Sequence, residues 1–391
     1  MSYRGRTYEL GAAILTPAYK RVREIMAEHH VPWKLRASAH FLESNRTRLS
    51  PRMFVPPELS WRDAMRVPGD AMRVLMTQVR GQLSRFPRLD GVPTNWYQPF
   101  THWARQHDVE PLLEMVRPWA TAFGYGFMDE VPAAYMLNYM CVLGPSLELH
   151  ETGFTGLWQR VADEYDVRLG SEVRKVTRTS EGVSIETNRG SFDVDELVIA
   201  CPLENAAKFL DTSEEEKSLF SEVRYMDYQV IAANTHGMPT PAYVFLGHNY
   251  TRARAGKPVF YYRRYADTGV TTFYSYRGEG GLDGAEREVT ALVEGLGGKV
   301  TEILARREYR YFPHVSSEGL ARGFYPRMEA LQGKSRTFYA GEVMAFSCVE
   351  PVVAYSEQLA ERVVGLSNAR PEDLPWPGVA NDGMRRLVRS A

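Results

Sequence analysis

The chain has 391 residues with 47 Lys plus Arg against 48 Asp plus Glu, long enough for two connected domains with a real core. The balanced charge gives no reason to expect nucleic acid or an anionic membrane as partner. Cys141, Cys201 and Cys348 lie far apart with no C-x-x-C, which excludes a disulfide framework and reads as a reduced, cytoplasmic chain with its cysteines buried as small hydrophobes. No apolar run approaches the roughly 20 residues of a membrane span, and the opening MSYRGRTYEL has no apolar signal core. Aromatic content is high, with 22 Tyr, 17 Phe and 7 Trp; most belongs to core and sheet, and an aromatic-lined pocket is the functional alternative.

In chain order, a short strand is predicted over Thr7 to Leu10, running into Gly11-Ala12-Ala13. Thr16 as N-cap and Pro17 at the first helical position then start a helix. Val22, Ile25, Met26 and His29 form its apolar face, and Pro32 ends it. Ser60 to Met140 reads as helical, broken at Pro87 to Pro93 and at Phe123 to Pro132. Gly153 precedes a helix striped by Leu157, Trp158, Val161, Ala162 and Tyr165. Three strands follow, Val167 to Thr179, Val183 to Thr187 and Leu197 to Ala200, with turns at Ser180-Glu181-Gly182 and Asn188-Arg189-Gly190. Ser213 and Glu216 make a capping box. Strands then recur at Tyr225 to Asn234, Val259 to Tyr265, Thr271 to Arg277 and Arg307 to Phe312, with a helix from Gly284 to Gly295. Arg336 to Ala340 is the last strand, and Pro351 to Val364 the last helix. Strands alternating with helices at both ends predict an α/β fold, a nucleotide-type domain in pieces with inserted substrate domains.

No G-x-S-x-G, H-E-x-x-H, P-loop or G-x-G-x-x-G occurs, and the scattered histidines suggest no metal site. The glycine clusters at Gly278 to Gly284 and Gly295 to Gly298 read as loops. In Phe338-Tyr339-Ala340-Gly341-Glu342 a strand ends in glycine and an acid, with a helix about ten residues on. Such a glycine lets a ligand approach the backbone, and the helix N-terminus favours an electron-rich group; an ordinary strand–loop–helix link is the alternative.

Tyr8-Glu9-Leu10-Gly11-Ala12, the Gly153 helix, "VRLGSEVRKVTRTSEGVSIETNRGSFDVDELVIACPLE" and "FYAGE" together resemble the flavin amine oxidase superfamily over about residues 3 to 365. "TAFGYGFMDEVPAAYMLNYM", "YFPHVSSE" and "LQGKSRTFYAGEVMAF" resemble one branch, the FAD-dependent polyenoic (linoleic) fatty acid isomerases. The resemblance implies a discontinuous Rossmann-type FAD domain (1–35, 150–212 and 334–368), a helical cap (36–149), a β-rich substrate domain (213–333) and a tail (369–391). It places Gly11 and Ala12 by the flavin, Val173 at the adenine, Glu342 after Gly341 near the ribityl–pyrophosphate, and Pro351 and Val352 toward the isoalloxazine. Phe123, Tyr125 and Phe346 become substrate-wall candidates. The branch pattern calls for a carboxylate-holding arginine at position 37, where this chain has Ala37; Arg36 is the substitute.

The implied activity is flavin-dependent isomerisation of a polyunsaturated fatty acid or similar polyene, with no protein acid or base required. The alternatives are an FAD-dependent oxidase or desaturase, and a cofactor-free binding or accessory protein. The partner is a small hydrophobic substrate, without integral membrane association. The glycine-rich phosphate-binding segment expected of such a fold is missing from this chain. The expectation is therefore that the 391 residues bind FAD weakly or not at all, that the start codon lies too far downstream or the product is truncated, and that the upstream DNA encodes an apolar strand and G-x-G-x-x-G.

Overall fold

The computed structural model describes residues 1–36, 39–42, 55–76, 80, 87–143, 148–150, 152–239 and 241–366, with the side chains of 33–36, 148–150 and 366 outside that description. A two-stranded hairpin, β1 (Ser2–Tyr3) with β2 (Arg6–Thr7), opens the chain. β3 (Trp33–Arg36) pairs with β5 (Glu148–His150), and β4 (Ala39–Phe41) joins a larger sheet. An antiparallel meander follows, β6 (Val173–Arg178), β7 (Val183–Thr187) and β8 (Gly190–Val194). β9 (Leu197–Ile199) lies parallel to β15 (Thr337–Tyr339), with Phe338 opposite Val198. Between them come β10 (Arg224–His236), β11 (Tyr243–Phe245), β12 (Pro258–Tyr262), β13 (Val270–Tyr276) and β14 (Lys299–His314). The mixed α/β architecture expected from the alternation of elements is present.

The main sheet has six strands in the order β14-β10-β13-β12-β11-β4, antiparallel except where β11 meets β4. Successive side chains on a strand face opposite ways, and the strands from β10 to β11 are apolar on both faces. Tyr228, Val230 and Ala232 of β10 join the large core with Phe260, Tyr262 and Tyr274. Ile231 and Ala233 point to the other side, packing with Tyr261 and Phe273 against Val289 and Val293 of the helix Gly281–Gly295. One alternating pattern thus builds a buried floor under the helix and an aromatic wall on the opposite face. Across from that wall stand the helices Glu110–Ala122 and Ala133–Met140, the latter buried over seven of its eight residues, with Phe100–Gln106 packed on both.

Several elements depart from the sequence reading. Tyr8 to Leu10 are buried but make no strand beyond β2. The Gly281–Gly295 helix starts three residues before the expected Gly284, and the first strand of the meander begins at Val173, not Val167. The three cysteines are half-buried rather than buried.

The first helix corrects the capping expectation. It spans Lys20–Glu28, and no side chain of its own caps it. Thr16 instead donates its hydroxyl to the Val142 carbonyl at 2.7 Å and accepts from Ala18 N–H. The free helix donors of Arg21 and Val22 bond the Glu350 carboxylate, both at 3.0 Å. A buried acid from the far end of the chain does what the local threonine was expected to do. By contrast, the Ser213–Glu216 capping box forms as read, at the head of Glu214–Glu222.

Candidate cofactor and ligand cavity

The aromatic wall, the 110–122 helix and the start of the last helix border a half-open cavity of about 1220 Å³. Its wall is built from the strand alternation: Phe260 stacks between Tyr243 and Tyr274 at centroid separations of 5.7 and 5.1 Å, and Tyr228 continues the row at 5.9 Å from Tyr274. Leu112, Met115, Val116, Trp119 and Phe123 face it from the helical side. Among the described lining residues none is Lys, Arg or His; the charged ones are Glu342 and Glu357. Such a lining suits a large, flat or elongated apolar molecule with few polar groups.

The polar edge gathers where the last helix, Val349–Leu366, begins. Tyr125 donates its hydroxyl to the Ser347 carbonyl at 2.9 Å. The Tyr311 hydroxyl lies 3.1 Å from the same carbonyl and 3.2 Å from the Tyr125 oxygen, with one proton to give. Tyr19 hydrogen-bonds Cys348, and burial pushes the Cys348 thiol up to about 11. That thiol is neutral at ordinary pH and is not a poised nucleophile. Glu342 is open to the cavity yet crowded by protein; desolvation, partly offset by Ser347, raises its carboxyl above the usual range.

Glu9 fixes the opposite rim. Its buried carboxylate accepts from the backbone N–H and the hydroxyl of Thr155, each at 3.0 Å, and so caps the helix Gly153–Ala162. Gly153 has φ +70°, and a Cβ there would sit 2.0 Å from a Glu9 oxygen. The helix start is thus filled by the chain's own carboxylate. Directly after Glu9, Leu10, Gly11 and Ala12 line the cavity, and nothing lies within 4 Å of where a Gly11 Cβ would be.

The structure brings Gly11, Ala12, Glu342, Val352, Phe123 and Tyr125 of the sequence candidates together on this one cavity. Phe346 lies just behind it, fully buried against Tyr125 and Tyr139 at 4.6 and 5.0 Å. Gly341 uses φ +88° to turn after β15, and a Cβ there would sit 3.3 Å from the Ala200 carbonyl oxygen. Pro351 lies in the first turn of the last helix and Val173 starts β6, and neither is on the lining. The side chain of Arg36 falls outside the described residues; its backbone ends β3 opposite Glu148. Sequence reasoning missed Tyr19, Trp119, Tyr228, Phe260, Tyr262, Tyr274 and Cys348. The alternation in β10, β12 and β13 marked the strands, but only their pairing chose which face meets the cavity.

A family model described as flavin containing amine oxidoreductase matches residues 1–296, and the chain belongs to that family. Membership implies a flavin cofactor, and the cavity has room beside Gly11 and Ala12 for a flat ring system. Among solved structures, the CLA-producing fatty acid isomerase from P. acnes is similar at 27% identity and a TM-score of 0.83, covering 93% of this chain and 88% of that one. Putrescine oxidase bound to putrescine (11%, TM-score 0.69, 93% and 90%) and cyclohexylamine oxidase from Brevibacterium oxydans IH-35A (13%, 0.63, 92% and 88%) share the fold. A search of curated protein sequences finds no match. Among the described residues no helix is long and apolar enough to cross a membrane, and no group of side chains is suited to hold a metal ion.

Proposed function

We propose that the protein is a cytosolic FAD-dependent isomerase of polyunsaturated fatty acids or similar polyenes. The observation that carries this reading is the cavity itself: large, aromatic on one wall, aliphatic on the other, and without a cation among its described lining residues. The similar fatty acid isomerase supports the same substrate class.

When bound, the flavin would supply reversible hydride transfer. The chain's own residues hold and shield the ligand. Gly11 and Ala12 offer backbone without side-chain bulk, Val352 closes the apolar side, and Glu342 accepts hydrogen bonds from the cofactor's hydroxyl-bearing arm. In the same reading Gly341 lets the cofactor pass close to the main chain, Val173 meets the adenine, and Pro351 helps set the helix end toward the ring. Phe123 and Tyr125, backed by Phe346, present ring faces to the positive charge that hydride loss leaves on the pentadienyl carbons; a desolvated cation–π contact contributes about 2 kcal/mol. Exclusion of water keeps that cation from being trapped as an alcohol.

Flavin-loaded protein given linoleic acid is expected to yield a product of unchanged mass with conjugated-diene absorbance and no oxygen uptake. Stoichiometric hydrogen peroxide would instead establish an oxidase. A second expectation concerns Glu342→Ala. A hydrogen bond to a charged acceptor contributes about 1.5–3 kcal/mol, so flavin retention should weaken about 10- to 150-fold. The melting temperature should barely move, because Glu342 is not part of the packed core. A folded variant that keeps wild-type flavin affinity would return Glu342 to a purely structural role.

A further inference from the structure

The helix Trp61–Val74 turns its apolar side outward. Trp61, Met65 and Met72 are 61%, 79% and 58% exposed, and Leu75 and Met76, immediately beyond, are 38% and 51% exposed. At 3.6 residues per turn these positions share one face. Arg62, Arg66 and Arg73 recur at the same spacing along one border of that stripe; Arg73 donates to the His107 and Asp108 carbonyls at 2.8 and 2.9 Å and Arg66 lies 3.6 Å from the Asp108 carboxylate, which leaves Arg62 as the outward-facing cation of the row. Inward, the helix buries Val74 and the carboxyl-bearing Asp70, whose oxygens meet Arg73 at 3.1 Å and Arg66 at 4.0 Å. The chain therefore spends an acid on the inner face while leaving a tryptophan and three methionines outside, an inversion of the usual surface helix.

The stripe is also continuous with the cavity. Ala71, next to Met72 in the chain, lines the cavity beside Leu112, Met115 and Val116 of the helix beneath. An exposed apolar face thus stands one side-chain layer from a chamber suited to an apolar molecule.

We propose that this helix docks in the plane of a lipid bilayer surface. Trp61, Met65, Met72, Leu75 and Met76 enter the boundary between headgroups and acyl chains, and the exposed Arg62 on their border meets a lipid phosphate. A helix with an apolar face, a tryptophan and a basic border is suited to lie in that interface. Docking there gives an apolar ligand a path between bilayer and cavity that does not cross water. The near-neutral charge of the whole chain gave no hint of this, because the feature belongs to one face. The inference stands whatever bond chemistry the cavity performs.

The test is cosedimentation of the purified chain with vesicles of three parts phosphatidylcholine to one part phosphatidylglycerol, without substrate or added flavin. The wild type is expected in the pellet, and the Trp61→Gln/Met65→Gln/Met72→Gln variant in the supernatant, its partitioning reduced about tenfold or more. The replaced side chains are exposed, so the variant should keep the wild-type circular dichroism and melting temperature. Brominated lipid should quench wild-type fluorescence, and Trp61→Phe, which keeps an apolar ring, should lose part of that quenching. A wild type that stays in the supernatant overturns the proposal. So does equal pelleting of both proteins, or a wild-type dimer in lipid-free buffer that the triple variant abolishes, since the face would then cover a second copy.

Discussion

Gly153→Ala should destabilise the protein by about 3–5 kcal/mol, a loss read as a lowered urea midpoint at unchanged slope. Two causes add. An L-residue at φ +70° costs about 1–2 kcal/mol in the left-handed region. The new methyl would also stand 2.0 Å from a Glu9 oxygen, so the carboxylate must leave Thr155. Losing a charge-assisted hydrogen bond to a helix N-terminus forfeits about 1.5–3 kcal/mol more. The second cause makes a further demand. In Glu9→Ala/Gly153→Ala the clash is gone, so the two losses should fall short of their sum by at least about 1 kcal/mol. Additive losses, or an alanine variant within about 1 kcal/mol of wild type, would refute the interlock. Because Glu9 leads directly into Gly11 and Ala12, the variant should also loosen the cavity rim, and flavin affinity should drop with stability.

The second large effect is expected at Glu216. This carboxylate is 5% exposed and holds the Arg178 guanidinium by two bonds of 2.6 and 2.9 Å, the Ser213 N–H at 2.7 Å, the Ser213 hydroxyl at 2.9 Å and the Tyr339 hydroxyl. It therefore ties the Glu214–Glu222 helix to β6 and to β15. Burial alone would raise its pKa, but the bonds from Arg178, Tyr339 and Ser213 outweigh that and hold it down at about 2. Glu216 binds its proton more weakly folded than unfolded, so its stabilisation is complete above the unfolded value of about 4.3 and disappears as pH falls toward 2. A depression of that size is worth about 3 kcal/mol, with little discount for so enclosed a group. Glu216→Gln, which leaves Arg178 without its inner counter-charge, should cost about 3–5 kcal/mol at pH 7. The variant's stability should also fall less steeply between pH 4.5 and 2 than that of the wild type. Parallel acid limbs would mean that Glu216 does not carry this pH dependence.

Residues close in sequence were the ones the sequence could place. Ser213 and Glu216 are three apart, and their capping box follows from a reach that any helix start provides. The alternation in Tyr225 to Asn234 and in Thr271 to Arg277 specified strands, because a pleated backbone has period two wherever it sits. Gly341 before Glu342 announced a turn, the Tyr8 to Ala12 stretch, the Gly153 helix and the Phe338 to Glu342 stretch carried the resemblance to the family, and the passages around Phe123, Pro313 and Gly341 that to its isomerase branch. Gly11, Ala12, Glu342, Val352, Phe123 and Tyr125 accordingly came from motif and resemblance, and tertiary structure supplied their common cavity.

The tertiary structure alone decided what depends on partners far along the chain. Thr16 looks like a cap in isolation, and folding gives that work to Glu350, because a buried carboxylate satisfies two donors where a hydroxyl satisfies one. Strand β11 is three residues long and becomes legible only through β12 and β4 on either side. The meeting of Glu9 with Gly153 and of Glu216 with Tyr339 spans more than a hundred residues each. The direction of the Trp61 helix was fixed in the same way. Its sequence is amphipathic read from either side, and packing against the 110–122 helix buried Asp70 and Val74 and left the methionines out. Local backbone preferences travel with the residue, whereas burial is a property of the pair, and a single sequence does not say which pairs will form.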